Sequence, residues 1–211
     1  MIVYGDSRSG NCYKIALLAR HLGITLEWRE VDVLSGATRS DWFLSINPFG
    51  KLPVVELDDD THLAESNAVL CYLAEGTAWW PDERLLRAEV LQWLFWEQYS
   101  HEPYIATVRF WVALSGQPEA HTSQIARCRP QGERALRRMD GHLRERRWLV
   151  GGHPTIADIA LFAYTHVAEE GGYRLDDYPA VLAWLDRMQG LPEHMPMQTP
   201  RALWQPAHPC P

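Results

Sequence analysis

The sequence predicts two folded units: an α/β unit of order βαβαββα over residues 1–76, then an all-α bundle over 83–195, with an irregular proline-rich tail at 196–211. Three observations lead there. Short strand-like runs alternate with helical periodicity only up to about Ala74. Every apolar run beyond Asp82 repeats at helical spacing. Between them, residues 76–82 hold Trp79-Trp80-Pro81 and read as a linker between regions of different composition.

The elements follow in order. Residues 1–4 are an apolar run ended by Gly5-Asp6, and residues 12–22 carry Ile15, Leu18, Ala19 and Leu22 at helical spacing before Gly23, giving a strand and then a helix. Leu26, Trp28 and Glu30 alternate with Glu27, Arg29 and Val31 as a second strand, and a short helix follows at 39–44. Pro48, Gly50 and Pro53 interrupt the chain before a strand at 54–57, a turn at Asp58-Asp59-Asp60, a return at Leu63-Ala64 and a helix at 65–74. Residues 83–114 form a long helical stretch with a bend expected at Pro103, and its apolar residues wrap more than one face. Further helices are expected at 122–145, 155–169 and 180–189, and the end from 192 to 211 is irregular.

Composition excludes several classes. With 46% apolar and 22% charged residues the 211-residue chain can bury a core, and disorder is excluded for most of it. A net charge of −7 argues against nucleic acid or an anionic membrane as the main partner. Cys12, Cys71, Cys128 and Cys210 stand too far apart for a zinc knuckle or a redox pair, and no histidines share metal-ligand spacing, so no metal is expected. The start reaches charge and glycine too soon for a signal peptide, and no apolar run approaches the ~20 residues of a membrane span, which places the chain in the cytoplasm.

Three segments carry candidate chemistry. Ser9-Gly10-Asn11-Cys12 stands where the first strand hands over to the first helix, where unpaired backbone N–H groups favour an anion such as a thiolate; the plainer reading is that Ser9 caps the helix. Asn47-Pro48-Phe49-Gly50-Lys51-Leu52-Pro53 precedes a strand, and a proline there exposes a backbone edge able to pair with a peptide, or is simply a turn. Glu65-Ser66 opens a helix, either receiving a free carboxylate or capping with an acidic residue. Cys12 lies three residues after Ser9, the spacing of a dithiol motif whose first cysteine is replaced. It either packs in the first helical turn or forms a mixed disulfide.

Together these segments resemble the glutathione-binding elements of the thioredoxin-like half of glutathione S-transferases, of theta-like or bacterial nu-like type. Asn-Pro-x-Gly-Lys-(Val/Leu/Ile)-Pro and Glu-Ser-x-Ala-(Ile/Val) are frequent in that family. Thr155-Ile156-Ala157-Asp158 after Gly151-Gly152-His153-Pro154 is similar to its buried capping-box region, with Thr155 capping the helix and Asp158 reaching back. The resemblance implies catalytic roles for Ser9, which hydrogen-bonds the glutathione sulfur, and for Asn11. It implies that Leu52 pairs its backbone with the cysteinyl unit beside a cis Pro53, that Glu65 and Ser66 hold the γ-glutamyl end, and that Lys51 faces the glycine carboxylate. Thr38 stands where the family often has Gln or His, with Arg39 a substitute, and Ser7 competes with Ser9.

The implied protein is a cytoplasmic glutathione S-transferase with glutathione as co-substrate, attacking a small apolar electrophile. Its pocket is expected between the domains and lined by His101, Tyr104, Val108 and Trp111, which share a helix face by spacing. The alternatives are glutathione-dependent disulfide reduction and a non-enzymatic interaction module of the same fold. A homodimer is expected through the apolar helix at 83–114 and the helix at 65–74. Trp204 in the tail is a candidate cover for the pocket.

Overall fold

The computed structural model describes residues 1–197, so Trp204, Cys210 and nearly all of the tail expected at 196–211 lie outside the described residues. The chain forms two compact units, one of residues 1–75 together with residues 191–197, the other Gly76–Gly190.

The first unit has β1 (Ile2–Gly5), α1 (Gly10–His21), β2 (Glu27–Glu30), α2 (Asp41–Ile46), β3 (Val54–Glu56), β4 (His62–Ala64) and α3 (Ser66–Ala74), the βαβαββα order. The strands stand in the order β2-β1-β3-β4, with β1 parallel to β2 and antiparallel to β3, and β3 antiparallel to β4. Strand residues alternate between two faces. Val3 and Val55 pack with Ile15, Ala19 and Val69 from α1 and α3, while Tyr4 and Val54 pack with Phe43 from α2. The chain from Leu191 is tied back to α1: the Tyr13 hydroxyl donates to the Met195 carbonyl, and Arg20 Nε pairs with Glu193 Oε2 at 3.0 Å.

The second unit has α4 (Arg84–Trp96), α5 (Glu102–Arg109), α6 (Thr122–Leu143), α7 (Ile156–Thr165) and α8 (Pro179–Gln189). The expected bend at Pro103 is instead a wide π-helical turn at Glu97–His101, ahead of the proline, and a second one follows at Phe110–Leu114. Pro103 lies in the first turn of α5, where a missing N–H is tolerated, so the helical register loosens upstream of it. The segment 76–82 is packed into this unit: Trp80 is buried, Arg87 lies over its ring, and the Trp79 carbonyl accepts from Ile156 N at 3.1 Å.

The capping box at α7 forms as the sequence implied. Thr155 Oγ1 accepts from Ala157 N at 3.2 Å, and Asp158 Oδ2 accepts from Thr155 N at 2.9 Å. Asp158 Oδ1 also receives Leu149 N at 3.1 Å and Trp184 Nε1 at 2.9 Å, which joins three segments on one carboxyl. Burial pushes its pKa up to about 6, against the pull of these donors. No helix among the described residues is long and apolar enough to cross a membrane.

Candidate functional site

Strand register gathers the candidate segments. Tyr4 pairs with Val54, and Val54 with Ala64. The chain leaving β1 toward Ser9, the Leu52-Pro53 peptide entering β3, and Glu65 leaving β4 therefore emerge at one end of the sheet. Two helices, α1 and α3, begin at that same end.

Ser9 is the N-cap of α1, with extended backbone (φ −82°, ψ 125°), and its Oγ accepts from Cys12 N at 3.4 Å. That uses a lone pair of the hydroxyl. Ser7, the competitor, is turned to the end of β2: its N–H and its Oγ both donate to Glu30 Oε1 at 3.3 Å. The turn between β1 and α1 is held by Asp6, which is buried. Its Oδ1 accepts from Arg8 N and Nε, both at 2.9 Å, its Oδ2 accepts from Arg8 Nη2 at 2.6 Å and Val33 N at 3.1 Å, and Arg8 also bridges to Asp32. Burial works against the Asp6 charge, but Arg8 and the two backbone N–H groups outweigh it and hold the carboxyl below its usual range.

Cys12 is fully buried in the first turn of α1. Burial pushes its thiol up to about 12, more than Ser9 and the backbone draw it down. At neutral pH it is a packed thiol rather than a nucleophile.

Asn11 points to the neighbouring helix. Its Oδ1 accepts from Ser66 Oγ at 3.1 Å, at the first residue of α3. Lys14, one turn into α1 and fully buried, donates to Ser66 Oγ at 3.4 Å and Asn67 Oδ1 at 3.3 Å. Lys14 is not among the residues singled out from the sequence; its signal is a cation between Tyr13 and Ile15 on a helix that is otherwise apolar there. Glu65, the N-cap of α3, is exposed and has φ 66° and ψ 108°, a backbone conformation a non-glycine residue adopts at a cost of about 1–3 kcal/mol, and such strain clusters at ligand sites.

The loop before β3 is braced by Asn47, whose Nδ2 donates to the Lys51 carbonyl at 2.7 Å and whose Oδ1 accepts from Phe49 N at 3.1 Å. The Leu52-Pro53 peptide is cis. Lys51 and Arg39 are exposed, whereas Thr38 is buried. Gly50 has φ 60°, and a Cβ there would stand 2.7 Å from Arg39 Nη1, so the structure brings Arg39 onto the loop that presents Lys51 and Leu52.

The four residues expected to line an electrophile pocket do not share one surface. His101 and Val108 are fully buried. His101 Nε2 lies 3.0 Å from Thr165 Oγ1, whose hydrogen goes to the Leu161 carbonyl at 2.7 Å, so the imidazole is the donor. Tyr104 lines a cleft of about 360 Å³ with Trp96, Tyr99, Arg134 and Arg138 inside the helical unit. Trp111 stacks on His121 at 4.9 Å. Tyr104 and Val108 keep regular helical spacing within α5, whereas His101 and Trp111 lie in the π-helical turns on either side of it, where the 3.6-residue phase no longer holds.

Known proteins match this arrangement along most of the chain. The family description "Glutathione S-transferase, N-terminal domain" matches residues 8–75, and "Glutathione S-transferase, C-terminal domain" matches residues 122–187. The solved glutathione S-transferase of Pseudomonas fluorescens is 52% identical, with a TM-score of 0.91 over 93% of this chain and 98% of that one. Human glutathione S-transferase theta-2 is 30% identical over 83% of this chain and 75% of its own length. The disulfide-bond oxidoreductase YfcG of Escherichia coli is 29% identical over 86% of this chain and 87% of its own length. Elongation factor 1-gamma of Artemia salina is 32% identical over 80% of this chain, which spans 40% of that longer protein. With both family halves matched in order, and with the motif residues gathered at one end of the sheet, the chain belongs to the glutathione S-transferase family.

Proposed function

We propose that the protein is a glutathione transferase that activates the thiol of glutathione for attack on a small apolar electrophile. The observation that carries this reading is the gathering of Ser9, Leu52-Pro53 and Glu65-Ser66 at one end of the sheet by the register Tyr4–Val54–Ala64. Glutathione would lie across that end, with its cysteinyl unit paired to the Leu52 backbone, its γ-glutamyl end at Glu65 and Ser66, and its glycine carboxylate toward Lys51 and Arg39. The sulfur would then meet the Ser9 hydroxyl and the N-terminus of α1. Both favour the thiolate over the thiol, and each unit by which the thiol pKa falls is about 1.4 kcal/mol of preference. The thiol proton leaves to solvent, the thiolate forms a carbon–sulfur bond, and the electrophile's leaving group departs with its electron pair.

Rates with a chromogenic chloroarene test this. Ser9→Ala is expected to lower kcat/KM about 10- to 100-fold, the worth of a hydrogen bond to a charged group, and Ser7→Ala to leave it within about twofold. An undiminished rate in Ser9→Ala overturns the assignment.

A second reading, disulfide reduction, is favoured by the likeness to the Escherichia coli oxidoreductase. Because Cys12 is buried and protonated at neutral pH, such a reaction would run on glutathione alone: the thiolate attacks a glutathione mixed disulfide, releasing the substrate thiol and glutathione disulfide. Turnover on a small mixed disulfide compared with the chloroarene separates the two.

The protein is also proposed to act in the cytoplasm as a homodimer. Leu85, Phe95 and Tyr99 along α4 and the turn after it are all more than half exposed, as is Tyr72 on α3, and large apolar side chains left to water on the two helices expected to pair support a partner there. Sedimentation at micromolar concentration is expected to give twice the chain mass of 24.2 kDa; a mass of one chain refutes the dimer.

A further inference from the structure

Lys14 is the feature of this site that the proposed chemistry leaves unused. It is fully buried on α1, yet its ammonium reaches the first turn of α3, at 3.4 Å from Ser66 Oγ and 3.3 Å from Asn67 Oδ1. Ser66 in turn donates its hydroxyl hydrogen to Asn11 Oδ1 at 3.1 Å. An ammonium has only hydrogens to give, so Ser66 Oγ accepts from Lys14 while it donates to Asn11. A ligand carboxylate arriving at Ser66 therefore finds the hydroxyl hydrogen already engaged. What remains to attract it is the set of N–H groups at the start of α3, with the Lys14 charge one hydroxyl's breadth behind.

We infer that Lys14 is a positioning residue that supplies the positive charge by which the opening turn of α3 recognises the free α-carboxylate of the γ-glutamyl unit. This rests on the glutathione reading above. Because the ammonium is buried, its field is weakly screened by water and acts across Ser66. The same contacts hold α1 against α3, so Lys14 also fixes where Asn11 and Ser66 stand. It touches no reacting atom, and its effect belongs to binding rather than to the chemical step.

The test compares glutathione with the analogue in which the γ-glutamyl α-carboxylate is converted to the neutral carboxamide. Binding is measured by calorimetry to the wild type and to Lys14→Met, a change that keeps the length of the side chain and removes its charge. The wild type is expected to prefer the acid over the amide at least about tenfold. Lys14→Met is expected to lose most of that preference, to raise KM for glutathione by a similar factor, and to keep kcat at saturating glutathione within about twofold. Lys14→Arg, which keeps the charge, is expected to recover part of the preference. A Lys14→Met protein that still prefers the acid as strongly as the wild type overturns the proposal, and so does one that loses affinity for acid and amide equally, since that marks a purely structural role. Should the variants not fold, the wild type alone decides against the proposal if it binds acid and amide alike. A wild type that binds neither ligand sinks the glutathione reading itself, a distinct outcome.

Discussion

Ser9 caps α1, and the proposed function asks a second task of the same hydroxyl. Its lone pair receives the Cys12 N–H and caps α1, and in the proposed reaction its hydrogen would turn to the bound sulfur. In the sequence these stand as rival readings, because spacing locates a serine at a helix start without saying which part of the hydroxyl is engaged. Ser7 and Ser9 are equally legible as candidates; the structure adds that Ser7 donates to Glu30 while Ser9 caps α1. Cys12 is the converse case. Its distance from Ser9 suggests redox chemistry, but burial, which spacing does not report, leaves it protonated at neutral pH. Cys12→Ala is accordingly expected to reduce stability by about 1–2 kcal/mol through lost packing while leaving both conjugation and disulfide turnover within about twofold. A folded Cys12→Ala protein that has lost disulfide turnover would show that the thiol takes part. Lys14 was illegible for a related reason: a lysine in a helix reads as surface, and its burial depends on α3, some fifty residues away in the chain.

At the scale of elements, the order of strands and helices was readable because each burial pattern repeats within its own segment. The cap at α7 was readable too, since Thr155 and Asp158 are three residues apart and satisfy each other locally. What the sequence left out lies in hydrogen-bond register. Apolar periodicity reports which side of a helix meets the core, and it tolerates an added residue in a turn. The π-helical turns at Glu97–His101 and Phe110–Leu114 are therefore silent in the pattern, although they hold His101 and Trp111. Glu65 shows the same limit on a smaller scale. Expected as the first residue of a helix, it stands just outside α3 in a left-handed conformation, and the backbone there is set by the join between β4 and α3. The candidate site survives these errors because it depends on strand pairing. Once β3 lies antiparallel to both β1 and β4, three loops distant in sequence must open at one end.

At the scale of the whole molecule, nothing in the proline-rich composition of residues 191–197 announces that this stretch docks on α1, yet it does so through Tyr13, Arg20 and a histidine pair. His21, in the last turn of α1, would ordinarily gain from the negative helix end there. Burial lowers its pKa to about 4 instead, helped by the charge of His194 and Arg20 and opposed by the Pro192 backbone and Glu193; burial lowers His194 as well. The sign of the pH dependence follows. Between pH 6.5 and about 4 the unfolded chain binds a proton at position 21 that the native state refuses, so stability falls as pH falls through that window and is unaffected by this group above it. Asp158, raised to about 6, works in the opposite direction over nearly the same window, so the share of His21 is read as a difference: the melting temperature of the wild type is expected to fall relative to that of His21→Gln, which has no proton to take up, as pH goes from 6.5 to 4, and the two to run parallel above pH 6.5. A variant whose melting temperature falls as steeply as that of the wild type would show that acid sensitivity arises elsewhere, because the docking of residues 191–197 against α1 would then be indifferent to the charge of the one imidazole it encloses most deeply.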